Sequence, residues 1–86
     1  MVIERNRSGD AVAVGERFRQ RGRLMPAGVE YQASWMLPDG SACYQVMEAP
    51  SREALDGWIR NWEDLVAFEV VPVLTSADFW ARRPPA

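Results

Sequence analysis

The order in which the hydrophobic period changes constrains this 86-residue chain more than any other feature. An apolar opening run, Met1–Arg5, gives way to helical spacing through Ala11, Val14 and Phe18. Two alternating segments, Val29–Leu37 and Ser41–Glu48, then flank Pro38-Asp39-Gly40. A second helical stretch follows, and a β-rich run closes at Phe68–Leu74. Side chains repeat every two residues on a strand and every ~3.6 on a helix face, so the order reads βαββαβ. This is the split β-α-β plait of the α+β class: an antiparallel sheet of about four strands, order 4-1-3-2, with two helices on one face. The plait hosts many unrelated activities, so it narrows structure far more than chemistry.

Local signals place the elements. Asp10 suits a helix N-cap, and Gly22 suits the left-handed residue that ends a helix. Ser51 caps the second helix, whose Leu55, Trp58, Ile59, Trp62 and Leu65 form one stripe. Trp58 and Trp62, one turn apart, read as a core face rather than a stacking site. Asp56 and Arg60 stand at the i, i+4 spacing of a surface ion pair. The hairpin around Pro38-Asp39-Gly40 predicts a type I turn closed by a glycine bulge. In that register Tyr31, Ala33 and Trp35 share a face with Cys43, Gln45 and Met47. Gln32, Ser34 and Met36 then lie beside Ala42, Tyr44 and Val46. Neither face is polar enough to stand in water.

Assembly follows from that apolarity. Two helices cover one sheet face, and a second copy packed sheet to sheet is the simplest cover for the other. A last strand over 67–74 is an edge, where Pro72 is tolerated. Residues 1–75 form the single domain. Residues 76–86 form a tail in which Ser76–Arg83 is a short capped helical turn, Phe79 and Trp80 clasp the neighbouring copy, and Pro84 and Pro85 end it.

Absences in the composition exclude chemistries. There is no histidine, and all ten basic residues are arginine. The usual general base near neutral pH, the commonest metal ligand and a Schiff-base lysine are therefore missing. One cysteine excludes an intrachain disulfide and, without histidine, a structural zinc site. Neither metal nor cofactor is expected. A lone cysteine, charges close to the N-terminus and no long apolar run predict a cytoplasmic protein with no membrane segment. The net charge of −2 argues against nucleic acid as a partner. Six arginines stand against three acids in residues 1–23, and four against nine in residues 24–86. Mutual neutralisation of the two halves is the expected outcome, ahead of a polyanion site.

Gln45 is the oddest residue for its position, an amide midway along a central strand. A buried amide must find partners. Either it is a polar hook in a pocket formed with Tyr31, Trp35, Cys43 and Met47, or it is satisfied by Tyr31 or by its counterpart across a dimer. Glu4 and Glu69 fall toward one end of neighbouring strands and could split their pKa values as an acid–base pair. Pairing with Arg5, Arg7 or Arg19 is the plainer outcome. Cys43 in an apolar strand reads as an inert thiol.

Several segments together carry a resemblance: Val2-Ile3-Glu4-Arg5, Phe18-Arg19, Arg21-Gly22-Arg23, Tyr31 with Ser34-Trp35, Cys43-Tyr44-Gln45, Met47-Glu48, Trp58-Ile59 with Trp62, and Phe68-Glu69-Val70-Val71-Pro72-Val73. Over nearly its full length the chain resembles an uncharacterised bacterial domain-of-unknown-function family (number 3303). The pattern is also similar to the dimeric α+β barrel, a ferredoxin-like plait whose two sheets face each other. The family carries no assigned activity, and the leading reading of the chain is a cytoplasmic homodimer binding a small planar ligand without catalysis. The resemblance also leaves open a cofactor-independent monooxygenase or isomerase, and a structural protein-interaction module. Haem-degrading relatives of that barrel use a histidine, which this chain lacks.

Overall fold

A computed structural model of the chain describes residues 1–83. Its elements are β1 (Val2–Asn6), α1 (Val12–Arg21), β2 (Glu30–Met36), β3 (Ala42–Glu48), α2 (Arg52–Arg60), β4 (Val66–Val70) and α3 (Ser76–Ala81). All strand pairs are antiparallel, in the order β2-β3-β1-β4. Read from the other edge this is 4-1-3-2, the ferredoxin-like plait that the period changes predict. Strand β4 ends before Pro72 rather than running to Leu74, and Val71 N–H closes the ladder on Met1 O at 2.8 Å. Proline has no N–H to continue it.

Parity on β1 assigns the two faces. Val2 is almost wholly buried and lies beside Gln45 and Val70, with Glu4 beside Cys43 and Phe68. This is the helix-covered face. Its core gathers Val2, Val29, Leu55, Trp58, Trp62 and Val66, with Met47, Phe68 and Val70 packed against them. The open face carries Ile3, Arg5, Ala42, Tyr44, Val46, Ala67 and Glu69.

The hairpin corrects the expected register. Leu37 N–H bonds Ala42 O at 2.9 Å, so the loop holds four residues, one more than a type I turn with a glycine bulge. Gly40 takes a positive φ of 73°, and Ser41 stays in the loop, held to Asp39 Oδ1 by its N–H and hydroxyl at 2.9 and 2.6 Å. Trp35 therefore faces Tyr44, and Ser34 faces Gln45. Beyond a bulge between Tyr31 and Ala33 the expected pairing of Tyr31 with Met47 returns. A bulge spends one unpaired residue, here Gln32, and turns over the parity of everything past it. Tyr31 thus lies on the helix-covered face while Ala33 and Trp35 lie on the open one.

The helices differ in their anchoring. Ser51 Oγ accepts from Ala54 N–H at 3.1 Å, the predicted cap of α2. That helix stops at Arg60, and Trp62 and Leu65 continue the stripe through tighter turns with N–H bonds to residues three back. Arg52, not Arg60, pairs with Asp56 at 2.8 Å. At α1 the N-cap position is Ala11, and Asp10 instead accepts from Val12 N–H at 3.0 Å. Gly22 ends α1 at φ 70°, as predicted. Two arginines of the first half find acids of the second: Arg5 with Glu69, and Arg17 with Asp64 through both terminal guanidinium nitrogens.

The radius of gyration is 14.7 Å, against about 12 Å for a compact chain of this length. No residue of α3 is buried, although Thr75 caps it and Phe79 packs edge-on against Trp80 at 5.0 Å. Pro84 and Pro85, read above as the end of the tail, lie outside the described residues.

Candidate functional site

Small side chains on α1 leave space above the sheet. Val14 and Gly15 on the helix, with Ala11 at its N-cap, face β1 and β3 across a cavity of about 260 Å³. Its walls are Phe18, Trp58, Trp62 and Val66, and its polar lining is Glu4, Arg23, Ser34, Cys43 and Gln45. Phe18 and Met36 also line it and are 45% and 52% exposed, which marks the mouth.

Each polar group is positioned by a specific element. Glu4 projects from central strand β1, directly opposite Cys43 on β3. Burial raises its pKa from 4.5 to about 7; the adjoining Cys43 thiol and the Arg23 charge favour the carboxylate and offset only part of this. The same burial, reinforced by Glu4, raises the Cys43 thiol, which makes it a poor nucleophile. Ser34 Oγ and Tyr31 OH share a hydrogen bond of 2.7 Å. Gln45, 4% exposed, donates its Nε2 to the Met47 sulfur at 3.0 Å, a weak acceptor.

Arg23 is held most firmly, by its backbone. Trp58 Nε1 and Trp62 Nε1 both donate to its carbonyl, at 3.1 and 2.9 Å. Its guanidinium lies 3.6 Å from the Tyr31 ring centroid and 5.1 Å from that of Phe18, both within cation–π reach.

One family model, described as a domain of unknown function (DUF3303), matches residues 1–84. The chain belongs to the DUF3303 family. It matches no curated protein and no solved structure. Every residue of the cavity falls inside the span matched to DUF3303.

The cavity of this DUF3303 chain gathers two of the five residues singled out in the sequence. Cys43 and Gln45 line it directly. Tyr31 stands behind it, bonded to Ser34 and stacked on Arg23. Met47 supports Gln45 from the core. Trp35, 61% exposed, is on the opposite face, because the four-residue loop and the Gln32 bulge reverse its parity. Gln45 bonds Met47 rather than Tyr31. Glu4 and Glu69 form no acid–base pair: Glu69 is opposite Ile3, on the open face, bonded to Arg5 at 3.0 Å.

Sequence reasoning missed Arg23 and the separate role of Glu4. The signal for Glu4 was its parity with Val2, which puts a carboxylate on the buried side of a central strand. Arg23 gave no signal, since its place depends on two indoles more than thirty residues away. Glu4 and Cys43 are the cavity's two metal-ligating side chains, and among the described residues no cluster of three forms. No helix among them is long and apolar enough to cross a membrane.

Proposed function

We propose that this DUF3303 chain is a homodimeric binding protein whose cavity takes one small planar ligand. The observation that carries the reading is the cavity's make-up: aromatic walls with a few polar groups among them. Ligand sites are built in this way. A purely structural interaction module would be expected to fill that space with side chains.

The open sheet face supports the homodimer. Ile3, Ala33, Trp35, Tyr44, Val46 and Ala67 make it apolar, and Arg5–Glu69 bridges its edge. A second copy, sheet to sheet, would close an α+β barrel and bury the ~800 Å² per subunit of a standard interface. Phe79 and Trp80 on α3, with Trp80 68% exposed, are the clasp. Met47, on the helix-covered face, has no part in that interface. A reducing cytoplasm suits the free Cys43 thiol.

Thermal shift against one- and two-ring planar compounds tests the binding. A ligand at ~100 times its Kd stabilises the native state by about 2.7 kcal/mol. Val14→Phe, which fills the cavity, should abolish the response. A wild type that no planar compound stabilises would sink the reading. Sedimentation at micromolar concentration tests the homodimer, which Trp35→Arg should split; a folded wild-type monomer would remove that half.

A second reading, a cofactor-independent isomerase, is favoured by Glu4 alone. A carboxyl group titrating near 7 is poised to take a proton from carbon and return it to a neighbouring atom. Turnover of an enolisable ketone by the wild type but not by Glu4→Gln would select it.

A further inference from the structure

The charges that line the cavity define more than its shape. Arg23 has no Asp or Glu partner within 4.0 Å among the described residues. Its guanidinium rests on aromatic rings, and its backbone is fixed by two indole N–H groups. This half-buried cation has no carboxylate in contact, Glu4 acting on it only at longer range, and a planar carboxylate matches the guanidinium fork with two parallel bonds. Gln45 adds an under-used amide: its Nε2 gives one N–H to the Met47 sulfur, a weak acceptor, and has a second N–H to offer an anion. That amide lines the cavity, where the second N–H can meet a bound ligand.

We infer that the cavity selects a small planar monocarboxylate, its anion held by Arg23 and Gln45 and its ring laid against Trp58, Trp62 and Phe18. This rests on the ligand-binding reading above and names the class of ligand. Size limits the body to about one ring, since 260 Å³ lies below the ~300 Å³ at which pockets begin to take drug-sized molecules. Charge limits the anion to one unit. With Glu4 protonated, the groups facing the space are one cation, Arg23, and the neutral Ser34, Cys43 and Gln45. A dianion would overcompensate, and a cation would oppose Arg23. An incoming anion also favours the protonated form of Glu4, so binding above neutral pH takes up a proton.

Calorimetric titration of the full chain with benzoate, against benzamide as the neutral molecule of the same shape, is the experiment. Benzoate should bind at least ten times more tightly than benzamide. Arg23→Gln leaves the carbonyl that the tryptophans hold, so it should fold; circular dichroism verifies this. It should erase the benzoate preference while changing benzamide affinity less than twofold, and Arg23→Lys should restore part of it. At pH 7.5 the heats in Tris and phosphate should differ by the uptake of a proton, a difference that Glu4→Gln removes. Equal affinity for the two probes, or a preference that survives Arg23→Gln, overturns the carboxylate class and leaves the cavity reading standing. The same holds if benzoate fails to bind while uncharged planar compounds raise the melting temperature. If no planar compound binds, both fall.

Discussion

The two ends of the helix layer solve the same packing problem in opposite ways. At the α2 end a capped helix lowers Leu55 and Trp58 onto Val2, Val66 and Phe68, and Trp58 meets Phe68 edge-on at 5.5 Å. At the α1 end no residue of the helix is buried, its N-cap has no side-chain bond, and beside Phe18 at the mouth it faces the cavity with only Val14 and Gly15. The sheet below changes to match, from Val2 and Val66 to Glu4, Ser34 and Cys43. Stability is concentrated where the tryptophans are, and the space they leave uncovered is the candidate site. A small domain, burying only about 60–70% of its unfolded surface, has little stability to give away. Removing core contacts on one side and retaining them on the other is thus a division of labour within one layer.

Trp58→Ala should cost the most, about 3–5 kcal/mol, as for a large aromatic taken from a packed core. Chemical denaturation measures it, and a loss below ~1 kcal/mol would erase the contrast between the two ends.

Glu4 should give the next largest effect, and its sign is opposite to that of an ion-paired acid. Its native pKa of about 7 exceeds the ordinary 4.5. Between those values the native state keeps a proton that the unfolded chain has released, so stability falls as pH rises. The contribution is full below about 4.5 and lost through about 7, on the order of 3 kcal/mol. Glu4→Gln should flatten that slope and exceed the wild type in stability at pH 8. Denaturation curves at pH 5 and 8 decide it; equal slopes in both proteins would mean that Glu4 is not buried at the cavity.

Phe18→Ala at the half-exposed mouth should cost only about 1 kcal/mol, well below Trp58→Ala. A loss as large as that of Trp58→Ala would show α1 to be packed as tightly as α2. Gly15→Ala sharpens the comparison from the other side. A Cβ there meets nothing within 4 Å, so the helix should gain about 0.5–1 kcal/mol from lost backbone freedom. Destabilisation would mean that α1 sits closer to the sheet than the cavity requires.

The parts of the fold that were legible in the sequence are those set by local chemistry. Ser51, Gly22 and the Leu55–Trp58–Trp62 stripe report their own surroundings, and period alone orders the strands. The hairpin register was not legible, because one extra loop residue and the bulge at Gln32 are each a single-residue choice. Together they move Trp35 to the other face while leaving Tyr31 in place. The candidate site was half legible for the same reason. Cys43 and Gln45 lie on an unbulged central strand and could be read together. Arg23 reaches the cavity only through Trp58 and Trp62, a meeting of distant segments that no local pattern records.

That shared carbonyl also has an optical consequence. The two indoles bonded to Arg23 wall the cavity, whereas Trp35 and Trp80 stand largely in solvent. A single copy therefore contains two spectral classes of tryptophan: a shielded, blue-emitting pair and a hydrated, red-emitting pair that the proposed dimer would cover. Iodide should quench the second pair in the separated chain and lose reach of it in the dimer, while the first pair's emission watches the cavity interior without any attached dye.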